Sequence, residues 1–72
     1  MGVNEMKILA NEIKVLRAKN NMTQEDLAKA SGISPCAIAL IESCKKKPRV
    51  ATLVKLSKAL NVDENDLLHY VL

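Results

Sequence analysis

Apolar residues return along this chain every three or four positions, the period of helices that each turn one face inward. Met6, Leu9, Ile13 and Leu16 form the first such stripe, and Asn20-Asn21 interrupts it. Asn4 stands ahead of the stripe as a candidate cap. Glu5 in the first turn and Arg17 and Lys19 near the end give the charge order a helix dipole favours. Thr23-Gln24-Glu25-Asp26 has the spacing of a capping box, with Asp26 in place of the usual Glu. Leu27, Ala28 and Ala30 follow in a short second helix that stops at Ser31-Gly32, where glycine takes a left-handed conformation at little cost. Ser34-Pro35 starts a third helix, a cap followed by proline at the first helical position, with Ile38 and Ile41 facing inward. Cys44-Lys45-Lys46-Lys47-Pro48 reads as a basic loop. A fourth helix is predicted from about Val50 to Leu60 on the stripe Leu53, Leu56, Ala59 and Leu60. Asp63 is placed to cap a fifth, Asp66 repeats the capping-box spacing, and Leu67, Leu68, Tyr70, Val71 and Leu72 follow.

Composition agrees with this all-α reading. Apolar residues make up 49% of the chain, yet Tyr70 is the lone aromatic, and a core of Leu, Ile, Val, Ala and Met suits packed helices. Seventy-two residues are expected to form one small domain over 1–72. Two Gly and two Pro are too few for many tight hairpins. No apolar run approaches the ~20 residues of a membrane span, and the start MGVNEMK lacks a secretory layout. A cytoplasmic protein is the expectation. Cys36 and Cys44 are eight apart, about 12 Å along one continuous helix, beyond the roughly 7 Å between Cα atoms that a disulfide spans. Ordinary reduced thiols are expected. With no CxxC pair, a single His69 and no nucleophile–base pair or phosphate-cradling Gly loop, the sequence points to no metal, no cofactor, no small-molecule ligand and no catalysis.

Charge changes the picture further. The net charge is only +3, but Lys45, Lys46, Lys47, Arg49, Lys55 and Lys58 occur with no acidic residue between Ser43 and Asn61. The last ten residues carry Asp63, Glu64 and Asp66 and no Lys or Arg. One basic patch on an otherwise balanced domain is the footprint of a phosphate-binding surface.

The stretches IKVLRAKNNMTQEDLAKASGIS, IALIES and PRVATLVKLSKALNVDENDLL resemble the Cro/cI-type helix-turn-helix family, also called the XRE family, over about residues 13–68. The likeness rests on Leu16-Arg17, Thr23-Gln24, Leu27-Ala28, the Gly32 turn, Ile41-Glu42 and the later Leu-x-x-Leu-x-x-Ala-Leu stretch, all in register. It implies a five-helix, lambda-repressor-like fold. It further implies a bacterial or phage-encoded regulator, more often a repressor than an activator, that binds double-stranded DNA as a dimer on a (pseudo)palindromic operator with its third helix in the major groove. By the same resemblance, Arg17 and Glu42 form a structural ion pair from the first helix to the end of the third. Gln24 falls where the family contacts the DNA backbone or a neighbouring side chain, and Thr23, Ser43, Lys45, Lys46, Lys47 and Arg49 join it along the phosphate track. Base contacts fall to Ser34, Cys36, Ala37, Ala39 and Leu40.

Those base-contact positions depart from the family habit. Bidentate readers such as Arg, Gln or Asn supply ~1–3 kcal/mol of discrimination each, and this helix has none of them. Ala37, Ala39 and Leu40 instead suit thymine methyl groups, with the remaining specificity in phosphate register, DNA deformation and paired half-sites. The rival reading is a protein-interaction module, antirepressor-like or antitoxin-like, that keeps the shape without DNA readout; the lysine loop favours DNA. Cys44 stands where the family often has Gly, which demands either another helix end or a strained residue, and Arg49 replaces the usual cap of the fourth helix. By the resemblance Leu67 and Leu68 close the domain core, while Tyr70, Val71 and Leu72 extend the apolar run past what one small domain readily buries; Leu68, Tyr70, Val71 and Leu72 are the expected dimer contacts. A homodimer on this tail is therefore expected, with Ile8 and Val15 of the first helix as a second contribution.

Overall fold

Helix boundaries follow the local chemistry closely. The computed structural model describes residues 2–71, with the backbone alone at residue 3. Its order is α1 (Val3–Lys19), α2 (Gln24–Ser31), α3 (Pro35–Glu42), α4 (Val50–Ala59) and α5 (Asn65–Leu68), with no strand among the described residues. Leu9, Ile13, Leu16, Leu27, Ile38, Ile41, Leu53, Leu56, Leu60, Leu67 and Leu68 meet in a single core to which every helix contributes. Ala10 is as buried as its neighbours, a position the four-residue stripe missed because Ala carries little pattern signal. Ala30, by contrast, is exposed.

Four helix ends are closed by left-handed residues, and this is what folds short helices back on one another. After α1, Asn21 takes φ 55°, while the Met22 N–H reaches the Arg17 carbonyl at 2.9 Å and the Asn21 N–H that of Ala18 at 3.0 Å. After α4, Asn61 repeats the arrangement at φ 59°, with Val62 donating to Ser57 at 3.0 Å. Asn tolerates this region better than most side chains. Gly32 closes α2 at φ 75°, and nothing lies within 4 Å of where its Cβ would stand. Backbone conformation, not space, selects glycine there. Cys44 closes α3 at φ 62°, with the Lys45 N–H bonded to Leu40 O at 2.9 Å. The loop keeps the glycine-type geometry and accepts a strained residue.

Two predicted caps are corrected. Helix α1 begins at Val3 with Gly2 as its cap residue and no side-chain cap bond, so Asn4 lies inside the first turn. Asp63 does not form a capping box with Asp66; its carboxylate accepts from the Asn65 N–H at 2.8 Å in a tight turn, and α5 is a single turn with Glu64 at its cap position. Four residues do not leave room for a fuller cap and a helix.

Candidate nucleic-acid interface

The α2–turn–α3 unit is built from three local devices. Thr23 Oγ accepts from the Asp26 N–H, and Asp26 Oδ2 accepts from the Thr23 N–H, both at 3.0 Å. The Thr23 backbone bond, then the Thr23 hydroxyl, and to a lesser degree the charge of Lys29, hold the Asp26 carboxyl below its ordinary range. Gly32 turns the chain, and Ser34 Oγ accepts from the Ala37 N–H at 3.1 Å to start α3, with Pro35 at its first position. A cap, a left-handed glycine and a second cap within twelve residues fix the angle between the two helices.

A buried carboxylate then locks α3 to the rest. Glu42 is 3% exposed. Arg17 grips it through two parallel bonds, Nε to Oε2 at 3.0 Å and Nη2 to Oε1 at 3.1 Å, while Nη1 donates to the Met22 carbonyl at 3.0 Å. Gln24 Nε2 donates to the same Oε1 at 3.1 Å. Of the two roles open to Gln24 in the sequence, its amide N–H takes the neighbouring-side-chain one. The grip joins α1, the loop after it, α2 and α3 at one point, which sequence spacing could not place.

With Ile38, Ile41 and Glu42 buried, Cys36, Leu40 and Ser43 fall on the opposite line of α3, at i, i+4 and i+7. Cys36 and Ser43 are exposed; Ala37, Ala39 and Leu40 are half-buried on or beside that line. Two hydroxyls flank this line and each makes one local bond: Ser34 Oγ accepts from the Ala37 N–H, and Ser43 Oγ donates to Leu40 O at 3.1 Å. Cys36 and Cys44 are both free. Cys44 packs toward α1, its Sγ 3.7 Å from Met6 O.

Beyond Cys44, Lys45, Lys46, Lys47 and Arg49 are all exposed around a buried Pro48. Lys45 and Lys46 both donate backbone N–H groups to Leu40 O, at 2.9 and 3.2 Å, so the loop is tied to the end of α3. A cleft of about 370 Å³ runs between them, lined by Gly32, Ser34, Ala37, Lys46, Arg49 and Thr52 among others. Helix α4 opens on Arg49 without a side-chain cap bond, leaving first-turn N–H groups and a guanidinium beside that cleft.

The tail is divided between the core and the surface. Leu68 is 7% exposed and belongs to the domain's own core, so it has little left to offer a partner. Tyr70 and Val71 are half-buried against the same core, and Tyr70 lies beside the ring of His69, 3.9 Å between centroids. Leu72 lies outside the described residues. Ile8 and Val15, 53% and 38% exposed, stay open on α1. Asn20, read from the sequence only as part of the break after the first stripe, donates from Nδ2 to Leu16 O at 2.8 Å and to Leu60 O at 3.1 Å, tying α1 to the end of α4. Among the described residues no cluster of His, Cys, Asp and Glu could hold a metal ion, and no helix is long and apolar enough to cross a membrane.

Comparison with known proteins gives these features a family. The model of the helix-turn-helix family matches residues 13–67. An uncharacterised helix-turn-helix transcriptional regulator of Methanocaldococcus jannaschii is 39% identical over 62 residues, covering 86% of this chain and 94% of that protein. The control protein C.SmaI of Serratia marcescens is 37% identical over 62 residues, 86% of this chain and 74% of its own. The helix-turn-helix transcriptional repressor RghR of Bacillus subtilis is 32% identical over 65 residues, 89% of this chain and 48% of that one. In the crystal structure of a family transcriptional regulator from Vibrio cholerae, 96% of this chain superposes with a TM-score of 0.85 at 25% identity, spanning 39% of that longer chain. With the capped helix pair, the Arg17–Glu42 lock and these matches in one register, the chain belongs to the Cro/cI-type (XRE) helix-turn-helix family of transcriptional regulators.

Proposed function

We propose that the protein represses transcription by binding a (pseudo)palindromic DNA operator as a homodimer, with α3 in the major groove and the 45–49 loop on the phosphate backbone. The observation that carries this is one continuous surface. An uncharged α3 face able to approach the groove floor is flanked by four exposed cations, and the Ala37–Lys46–Arg49 cleft joins them. The uncapped first turn of α4 adds N–H groups suited to a phosphate oxygen. Thr23 and Ser43, both exposed, lie at the two ends of the helix pair and complete the backbone track.

Dimer formation is supported by size and by leftover apolar surface. The domain measures 28 × 23 × 20 Å, so two copies side by side can set their α3 helices the roughly 34 Å apart that half-sites one turn apart require. Tyr70 and Val71 retain partial exposure, and Ile8 and Val15 sit two turns apart on one face of α1. Selection of bound duplexes from random DNA tests the whole reading. Enrichment of a two-fold symmetric site with half-sites one turn apart is expected. If no duplex is enriched over bulk DNA, the protein-interaction module takes its place. Sedimentation equilibrium of the intact chain, of a chain ending at His69 and of Ile8→Glu is expected to give dimers only for the first. Monomers for all three at tens of micromolar would remove the dimer.

A further inference from the structure

We infer that α3 reads pyrimidine C5-methyl groups, with Leu40 and Cys36 as the contact residues, so that the protein selects thymine and accepts 5-methylcytosine at the same places. The inference rests on the DNA-binding reading above and names what that surface recognises. Its first support is the scarcity of polar side chains along α3. Ser34 Oγ serves the Ala37 N–H, Ser43 Oγ donates to Leu40 O, and Glu42 is buried under Arg17 and Gln24. No Lys or Arg lies within α3 itself. Between the two terminal hydroxyls of Ser34 and Ser43, the outward line of α3 carries only the weak thiol of Cys36 to answer the donors and acceptors of base edges.

The second support is the position of Leu40. It lies on the outward line with Cys36 one turn before it, opposite Ile38 and Ile41. In the major groove a leucine side chain placed over an exocyclic amine or carbonyl strips water from that group and returns no hydrogen bond, which is costly. Placed over a C5-methyl group it gains apolar contact. Thymine is the one ordinary base that presents such a methyl in the major groove. The same side chain thus rewards methyl-bearing positions and penalises the others. A thiol at Cys36, small and weakly polar, extends the same surface. A 5-methylcytosine offers an equivalent methyl beside a different exocyclic group, so methylation at a contacted cytosine is expected to strengthen binding there.

The test uses the intact protein and the duplex recovered by selection. Each thymine in turn is replaced by deoxyuridine, which removes the methyl and keeps the base pair. Affinity is expected to fall about fourfold at one or two thymines per half-site, the fold-change of burying one methylene-sized group, and about fifteenfold when both half-sites are altered. In Leu40→Ala one of these penalties is expected to vanish, an interaction that a purely structural role for Leu40 would not produce. Replacing that thymine by cytosine weakens binding, and 5-methylcytosine at the same position is expected to restore part of it. The inference is overturned if the selected duplex binds but no uracil replacement weakens it. It is equally overturned if the uracil penalties persist unchanged in both Leu40→Ala and Cys36→Ser. A failure of every duplex to bind, seen before any base is altered, would sink the DNA reading itself and this inference with it.

Discussion

The outward face of α3 and the loop that follows it are neighbours in sequence and opposites in chemistry. From Pro35 to Glu42 no exposed side chain carries charge, whereas Lys45, Lys46, Lys47 and Arg49 are all exposed and cationic. Between them stands Cys44 in a left-handed turn. On the proposed reading this contrast is a division of labour: the loop would supply affinity for any duplex, and the α3 face the choice among duplexes. The two are nonetheless rigidly coupled, since Leu40 O accepts from the Lys45 and Lys46 N–H groups and from the Ser43 hydroxyl. On that reading, a phosphate contact made by the loop would set how deeply α3 sits.

The largest effect is expected where both regions depend on one anchor. Removing the partner of buried Glu42 leaves an uncompensated charge, so Arg17→Met is expected to cost about 3–5 kcal/mol in chemical denaturation. The double variant Arg17→Met/Glu42→Leu should recover most of that loss, because it removes the stranded charge as well. A single-variant loss below about 1 kcal/mol would show that the ion pair does not hold α3 in place.

Next comes a change that imposes charge on the uncharged face. Ala37 lines the cleft with Lys46 and Arg49. Ala37→Glu is expected to lower operator affinity on the order of 100-fold through repulsion from phosphates, with an unchanged helical circular dichroism spectrum. Normal affinity in a folded variant would remove α3 from the interface. A smaller effect is expected at the junction itself. Cys44→Gly relieves the left-handed strain and should raise stability by about 1 kcal/mol, less the weak Sγ contact with Met6 O, while the operator preference stays as it was. A loss of stability would mean that packing against α1 outweighs the strain.

What the sequence disclosed divides along the same line as the physics. Caps and turns are local, so Thr23–Asp26, Gly32 and Ser34-Pro35 were readable from a few adjacent residues, and the helices between them followed. Interactions across long separations were not. The Asn20 bond to Leu60 O joins residues forty apart, and nothing in the pattern marks that Asn from any other polar residue at a helix end. Arg17–Glu42 was legible only through the family resemblance, and the share that Gln24 takes in it only from the structure. At the termini the signals were ambiguous. Asn4 looked like a cap because Asn favours caps, yet backbone geometry put Gly2 there. The tail looked surplus to one domain because sequence does not reveal how much apolar surface the core still has room to cover. Tyr70 and Val71, partly buried against the core, fill part of that room.

The division between affinity and choice is tested most directly by salt titration of Lys46→Ala/Lys47→Ala on the selected operator and on an unrelated duplex of equal length. The account predicts that the slope of log K against log salt flattens by about two units for both duplexes, while the ratio of the two affinities remains that of the unaltered protein. An unchanged slope, or a collapse of the ratio, would contradict it.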